Sequence, residues 1–252
     1  MTAPSFDKKI LKGRILVFDA DDTLWENERN YNNAETGFSR LMAPLCRPEE
    51  AYNILMKVEG KNIPILGYGS KTLIIALVES AVIICRKYLK TDYVPDYYID
   101  SCMDIGMEVV KAPMVLFKNV TKTLAELSKT NTLILATKGD IKDQTEKIRK
   151  SGLSKYFSYT EIMMEKDPEG YRKLLLDAGR SVGRTRTERE KGIAPEDMIM
   201  IGNSLKSDIN PVLEIGGTGI YIPAEFTWEH EKAEEPKNTG FFKISEISDL
   251  VM

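Results

Sequence analysis

The sequence predicts an α/β fold in which a parallel sheet is built from strands that alternate with helices. Three observations support this prediction. Short, continuous apolar runs end abruptly in polar residues, as buried parallel strands do. Helical patterns separate most of those runs, which favours βαβ units with right-handed crossovers. Between the first and second runs, one long stretch carries helical patterns alone and predicts an inserted all-helical domain.

The predicted strands begin with the apolar run Ile15 to Phe18 near the start of the chain. Later strands are predicted at residues 132–136, 198–201 and 219–222, with a weaker one at 158–163. Helices are predicted between them at residues 120–129, 142–151 and 169–178. In sheets of this kind the ligand binds beyond the carboxyl ends of the strands. The polar residues that follow these runs are therefore expected to meet at one edge of the sheet.

The stretch from about residue 28 to residue 111 has no good strand signal. Pro48 and Pro95 suit the first turns of helices, and Ser70 suits an N-cap. The third helical segment is apolar almost all round and is expected at the centre of a helical bundle. These helices are predicted at residues 33–45, 48–59, 71–90 and 95–111. We therefore predict a core of residues 1–27 and 115–252 and a helical domain of residues 28–114.

The composition is that of an ordinary globular protein, with 252 residues, 42% of them hydrophobic, and a net charge of −3. This charge gives no electrostatic reason to expect nucleic acid or a membrane surface as a partner. The three cysteines show no CxxC pairing, which predicts free, mostly buried thiols in a reducing compartment. Because no signal-peptide or membrane-spanning pattern is evident, a cytoplasmic location is expected.

Two aspartates follow the first predicted strand and raise an electrostatic problem. If the extended backbone continues, Asp19 and Asp21 point the same way, and their carboxylates repel each other unless a cation joins them. The chain has one histidine, His230, and no cysteine near this segment, so oxygen ligands and a hard cation such as Mg²⁺ are favoured over Zn²⁺. Further polar groups follow later strands: a hydroxyl, a positive charge and two more oxygen ligands, on Thr137, Lys166, Asn203 and Asp208.

At these residues the sequence resembles the haloacid dehalogenase superfamily, whose members are mostly phosphatases. The segment FDADDTL, residues 18–24, is similar to its motif I, DxDxT. Thr137 and Lys166 match the threonine of motif II and the lysine of motif III, and GNSLKSD, residues 202–208, is similar to motif IV. The resemblance covers nearly the whole chain. It implies a Rossmann-like core with the helical insert as a C1 cap.

The resemblance also implies a function: a Mg²⁺-dependent phosphatase that hydrolyses the phosphate monoester of a small metabolite. Asp19 would be the nucleophile that forms an aspartyl-phosphate, and Asp21 would protonate the leaving oxygen and later activate water. Mg²⁺ would be held by the Asp19 side chain, the Asp21 backbone carbonyl, and Asn203 and Asp208 of motif IV. The phosphoryl group would be bound by Thr137, Lys138 and Lys166.

Two positions depart from the family pattern. Asn203 replaces the first aspartate of motif IV, so the predicted metal site has one negative charge fewer. Asp22 stands where the family usually has glycine, at a position that tends to adopt unusual dihedral angles. Aspartate tolerates such angles better than most residues.

Other functions remain open. A phosphomutase would share the aspartyl-phosphate, and a phosphate-binding regulatory module without turnover is favoured only by Asn203. A dehalogenase is disfavoured because halide displacement from carbon does not need the second acid, Asp21.

Two further segments have open roles. In the helical domain, the loop predicted at residues 62–71 either presents Tyr68 and Lys71 to the substrate or is a plain interhelical turn. Trp228 and His230, after the last predicted strand, are expected to pack over the core or to anchor a loop.

Overall fold

The computed structural model describes residues 6–226, 228 and 231–251. Within these residues, one sheet has the strand order β3-β2-β1-β4-β5-β6, and every neighbouring pair is parallel. This confirms the predicted α/β fold class with a Rossmann-like parallel sheet. The strands are β1 (Ile15–Phe18), β2 (Thr132–Lys138), β3 (Tyr159–Met163), β4 (Met198–Gly202), β5 (Thr218–Tyr221) and β6 (Phe241–Lys243).

The strand β1 lies in the middle of the sheet, between β2 and β4. All four of its residues are buried. Leu16 and Phe18 pack into one hydrophobic cluster, and Ile15 and Val17 pack into another. Burial on both faces explains why this strand is a continuous apolar run and not an alternating one.

The helices of the sheet-containing part follow the predicted pattern with shifted ends. They are α5 (Val120–Leu127), α6 (Ile141–Ser151), α7 (Pro168–Val182), α8 (Arg186–Lys191) and α9 (Asn210–Glu214). One turn of π-helix, Leu205–Ile209, directly precedes α9 and carries part of the predicted motif IV. The strand β6 was not predicted, because three residues with an exposed lysine at the end give no apolar run of useful length.

The chain divides into two compact units. The sheet unit takes in Met1–Glu26, Met114–Lys138 and Gln144–Met252, and the helical unit takes in Asn27–Pro113 and Gly139–Asp143. The helical unit contains α1 (Glu28–Met42), α2 (Pro48–Leu66), α3 (Ser70–Leu89) and α4 (Asp96–Lys111).

A hydrophobic core of its own holds the helical unit together, with Phe38, Leu55, Leu73 and Leu77 at its centre. At the crossing of α3 and α4, a side chain in place of Gly106 would put its Cβ 2.3 Å from Cγ1 of Ile74. Glycine at this position therefore lets the two helices approach closely.

Several helix ends in this unit differ from the prediction. The helix α1 begins at Glu28, and α2 continues beyond residue 59 to Leu66, because buried Glu59 and Asn62 extend it instead of ending it. The loop predicted at residues 62–71 shrinks to Gly67–Gly69, in which both glycines have positive φ angles of 81° and 121°.

Two of the three predicted positions at helix starts differ in the structure. Ser70 is the first residue of α3 and not its N-cap, and its hydroxyl donates to Asp143 Oδ2 at 2.7 Å. Pro95 is the N-cap of α4, whereas Pro48 occupies the first turn of α2 as predicted.

The cysteine prediction is confirmed for the state of the thiols, since Cys46, Cys85 and Cys102 are all free and buried. No helix within the described ranges is both long and apolar enough to cross a membrane.

Candidate active site

The candidate site begins where β1 ends. The backbone N–H of Asp19 donates to Ile201 O at 2.9 Å and extends the pairing with β4 by one residue. A tight turn follows, in which the N–H of Asp22 donates to Trp25 O at 2.8 Å. Asp22 has a φ of 60°, so this position does adopt left-handed backbone, which aspartate tolerates at modest cost.

A buried lysine joins two carboxylates next to this turn. The ammonium of Lys166 donates to Asp19 Oδ1 and, at 2.7 Å, to Asp208 Oδ1. The side chains of Lys166, Asp19 and Asp208 are only 2%, 9% and 1% exposed. Buried charges are tolerated when they are paired and hydrogen-bonded, so each of these three groups depends on the others.

Burial changes the acid–base properties of this cluster. Loss of hydration raises the pKa of Asp19 to about 7; the attraction of Lys166 opposes this rise, whereas the nearby carboxylates of Asp208 and Asp21 add to it. For Lys166, burial alone would lower the pKa, but the charges of Asp19 and Asp208 raise it well above its ordinary value. Lys166 therefore keeps its positive charge, and its role in binding phosphate stays a prediction.

Asp208 is held by motif IV itself. Its Oδ2 accepts the backbone N–H of Ser204 at 2.9 Å, so both of its oxygens have donors. Gly202 is required for this approach, because a Cβ at that position would lie 2.3 Å from Asp208 Oδ2. These contacts favour a role for Asp208 in holding Lys166, and its role as a direct metal ligand stays a prediction.

Asn203 meets the motif I segment at the end of β4. In the orientation that satisfies its hydrogen bonds, its amide NH₂ donates to Asp21 O at 3.1 Å, Thr23 Oγ1 at 3.1 Å and Asp19 Oδ2 at 3.2 Å. Three of the four groups that were predicted to hold Mg²⁺, namely the Asp19 carboxylate, the Asp21 carbonyl and the Asn203 amide, therefore lie within hydrogen-bond distance of one another at Asn203. The opposite amide orientation would present the Asn203 oxygen to the same place. Oxygen ligands from a carboxylate, a carbonyl and an amide fit a hard cation.

The residues predicted to bind phosphate follow β2. The hydroxyl of Thr137 is buried and has no hydrogen-bond partner among the described residues. Such a group is costly to leave unsatisfied, by about 1–3 kcal/mol, which favours a binding role. The side chain of Lys138 contacts Glu231 Oε1 at 2.9 Å and Ser207 Oγ at 3.2 Å.

Comparison with known proteins decides the family. A family model for haloacid dehalogenase-like hydrolases matches residues 14–213 of this chain. The chain belongs to the haloacid dehalogenase-like hydrolase family. A solved haloacid dehalogenase-like family hydrolase from Xanthomonas campestris is 31% identical, with a TM-score of 0.76, and the match covers 98% of this chain and 92% of that chain.

More distant structures share the fold of this haloacid dehalogenase-like hydrolase. A predicted phosphoglycolate phosphatase from Haemophilus somnus 129pt is 16% identical, with a TM-score of 0.55 over 94% of this chain and 96% of that chain. The L-2-haloacid dehalogenase from Xanthobacter autotrophicus is 13% identical, with a TM-score of 0.52 over the same shares. At these identities the likeness concerns the fold alone. The search of curated protein sequences gave no significant match.

The partners of Asp21 in this haloacid dehalogenase-like hydrolase were not predicted from the sequence. Asp21 Oδ1 accepts from Trp25 Nε1 at 2.7 Å, and Asp21 Oδ2 accepts from Gln144 Nε2 at 2.7 Å. The ammonium of Lys147 lies 3.0 and 2.9 Å from the same two oxygens. Gln144 and Lys147 are three residues apart on α6 and so share a helix face, which is the one signal that could have linked them.

Glu231 is a second site residue that was not predicted from the sequence. Its Oε2 accepts hydrogen bonds from the hydroxyls of Ser204 and Ser207, each at 2.5 Å. Its Oε1 accepts from the ammonium of Lys138 at 2.9 Å. Burial alone would raise the pKa of Glu231, but Lys138 and the two hydroxyls lower it. A carboxylate from the segment after β5 thus ties motif II to motif IV of the hydrolase.

The remaining predicted residues have the following positions. Lys71 forms an ion pair within the helical unit, with Asp140 Oδ1 at 2.8 Å, and Tyr68 lies between Gly67 and Gly69. A role in substrate choice stays a prediction for both. The carbonyl of Trp228 accepts the backbone N–H of Glu231 at 2.9 Å, whereas His230 lies outside the described residues.

Proposed function

We propose that this hydrolase is a Mg²⁺-dependent phosphatase that cleaves the phosphate monoester of a small molecule through an aspartyl-phosphate on Asp19. The observation that carries the proposal is the second carboxylate at the end of β1. Asp21 is fixed in place by Trp25 and Gln144, beside the buried pair of Asp19 and Lys166. Displacement of a halide from carbon needs only the first carboxylate, whereas cleavage of an alkyl phosphate also needs an acid for the leaving oxygen.

The chain's own groups divide the reaction between them. The Asp19 carboxylate attacks phosphorus, and the ester P–O bond breaks with its electron pair going to the leaving oxygen. Asp21 gives its proton to that oxygen and then takes one from the water that hydrolyses the aspartyl-phosphate, which releases phosphate and restores Asp19.

Binding groups stabilise the transferred phosphoryl group. Lys166, positioned by Asp208, and the buried Thr137 hydroxyl donate to its oxygens as charge builds on them, and the segment at Lys138 adds backbone donors. Asp19, the Asp21 carbonyl, Asn203 and Asp208 would hold Mg²⁺, which would supply positive charge that offsets the phosphate dianion. We further propose that the helical domain, residues 28–114, acts as a cap in which Tyr68 and Lys71 influence substrate choice.

The proposal is tested by a direct comparison of products. The purified protein is expected to release inorganic phosphate from p-nitrophenyl phosphate with Mg²⁺ present, and to lose this activity with excess chelator. Chloride release from 2-chloropropionate is measured in parallel, as is conversion of a hexose 1-phosphate to the 6-phosphate. Chloride release without phosphate release would replace the phosphatase by a dehalogenase, and isomerisation without net phosphate release would replace it by a mutase.

Asn203→Asp is expected to lower the Mg²⁺ concentration that gives half-maximal activity, by about 10- to 100-fold. The substitution restores a negative charge that attracts the divalent ion. It also removes the amide that donates to Asp19 Oδ2 and the Asp21 carbonyl, so the metal-free protein should be less stable.

Two measurements check this expectation for Asn203. Activity is measured against Mg²⁺ concentration, and the melting temperature is measured with chelator and with saturating Mg²⁺. The variant should melt lower than the wild type in chelator and gain more from Mg²⁺. An unchanged half-saturating Mg²⁺ concentration, together with an unchanged gain in melting temperature, would show that Asn203 does not contact the metal.

A further inference from the structure

Lys147 is the more exposed of two lysines that contact the carboxylates of Asp19 and Asp21. Its side chain is 26% exposed, whereas that of Lys166, which also contacts one of these carboxylates, is only 2% exposed. The ammonium of Lys138 donates to Glu231 Oε1 at 2.9 Å. A charged group that approaches Asp21 from solution therefore meets the half-buried ammonium of Lys147, which contacts both Asp21 oxygens.

Lys147 is not needed to orient Asp21. Trp25 is fully buried and Gln144 is 3% exposed, and each gives a short hydrogen bond to one of the two Asp21 oxygens. These neutral donors on packed side chains fix the carboxylate by themselves. The ammonium of Lys147 contacts both oxygens but sits on a flexible stem, so its position can adjust without loss of that framework.

The position of Asp21 indicates what Lys147 faces. Under the proposed function, Asp21 gives its proton to the leaving oxygen of the ester, so the leaving portion of the substrate lies at Asp21 and within reach of Lys147. An anionic leaving portion at this place needs a positive charge beside it, and Lys147 supplies one because its ammonium lies within 3.0 Å of both Asp21 oxygens.

A second observation points to a polar ligand at the same place. The amide NH₂ of Gln144 is used by Asp21 and by the Lys138 carbonyl, at 2.7 and 3.0 Å, while its Oε1 is buried without a hydrogen-bond partner in the described chain. An orphaned buried acceptor beside a cation suits a ligand that combines a hydroxyl with a negative charge.

We propose that Lys147 determines specificity by binding a carboxylate or second phosphate on the leaving portion of the substrate. The preferred substrates would be phosphate esters of hydroxy acids or bisphosphates, and not esters of neutral alcohols. The inference rests on the proposed phosphatase function and refines it. The reaction is unchanged: the ester P–O bond breaks, Asp19 receives the phosphoryl group and Asp21 protonates the leaving oxygen.

A matched pair of esters tests the proposal kinetically. The probes are 2-carboxyethyl phosphate and propyl phosphate, which differ in the charge of the leaving portion. The wild type should favour the carboxylate ester in kcat/KM by about tenfold or more, the size of one charge-assisted hydrogen bond. In Lys147→Met the ratio of the two kcat/KM values should fall to about one, and Lys147→Arg should restore part of it.

Lys150→Met is the matched control, because Lys150 lies on the same helix, is 44% exposed and forms an ion pair with Glu146 at 3.9 Å. It should leave the ratio unchanged. A loss of the same factor on both esters in Lys147→Met would overturn the proposal, because Lys147 would then support Asp21 regardless of the substrate's charge.

A binding measurement separates this proposal from the phosphatase function. Calorimetry with 3-phosphonopropionate and propylphosphonate, which cannot be hydrolysed, should give tighter binding of the carboxylate compound to the wild type and equal binding to Lys147→Met. If phosphonate discrimination is present but no ester is hydrolysed, the phosphatase function fails while the anion site at Lys147 stands. If esters are hydrolysed but neither probe pair is discriminated, the anion site fails alone.

Discussion

Asp19→Asn is expected to reduce the rate of ester hydrolysis by at least about 10³-fold while leaving the protein folded. The substitution removes the attacking oxygen at almost unchanged volume. Its amide oxygen can still accept from Lys166, which also keeps Asp208 as a partner. Because burial raises the pKa of Asp19 to about 7, the charge on this group is costly to hold, and its removal should not lower the free energy of unfolding.

Three measurements check the Asp19→Asn prediction: phosphate release, the free energy of unfolding in urea, and binding of inorganic phosphate. Hydrolysis should be lost, while stability and phosphate binding should persist. Turnover within tenfold of the wild type would exclude the aspartyl-phosphate mechanism. Loss of hydrolysis together with loss of the fold would leave the nucleophile unproven, so Asp19→Glu, which keeps the carboxylate but displaces it, serves as the second variant and should also be inactive.

Lys166→Met is expected to lower the free energy of unfolding by about 3–5 kcal/mol and to reduce activity severely. The variant leaves Asp19 and Asp208 as two buried carboxylates without their shared partner. Breaking a buried ion pair by removing one partner costs far more than losing a surface pair, because the remaining charge stays buried. Urea denaturation with chelator present measures the effect.

A double variant and a control variant test the Lys166 prediction further. Lys166→Met/Asp208→Asn removes one of the two buried carboxylates that have lost their partner, so it should recover part of the lost free energy of unfolding. A double-mutant cycle measures this coupling. Lys173→Met is the control, because Lys173 is 66% exposed and pairs with Asp177 at 2.8 Å, so its loss should cost less than about 1 kcal/mol. If Lys166→Met and Lys173→Met destabilise equally, the buried cluster does not hold the site together.

The sheet could be predicted because its strands are buried on both faces. The strand β1 needs no partner to be recognised, since four apolar residues followed by aspartate already indicate a buried parallel strand. The strand β6 has three residues and an exposed end, so only its pairing with β5 identifies it as a strand. The end of α2 was misplaced for a similar reason, because Glu59 and Asn62 are polar yet buried, and Asn62 donates to Glu79 at 3.0 Å.

The candidate site was predictable where residues stand at a strand end or a few residues after it. Asp19, Thr137 and Asn203 each stand at or next to a strand end, so the topology alone brings them together. Lys147 and Glu231 reach the same site from a helix and from the segment after β5. Their contacts depend on side-chain direction and on the path of a loop, and neither property has a local pattern in the sequence.

The contacts of Glu231 also determine when the site is complete as the chain is synthesised. The helical unit has its own core and is nearly continuous in sequence, so it can fold early. The strand β1 can pair with β2 before β4 is made, but the turn that follows β1 must wait for β4, because Thr23 and its partner Asn203 are 180 residues apart along the chain. The partner of Ser204, Ser207 and Lys138 is synthesised later still, because Glu231 lies 24 residues beyond Ser207. A nascent chain that stops short of residue 231 carries every motif of the family but lacks the group that joins motif II to motif IV.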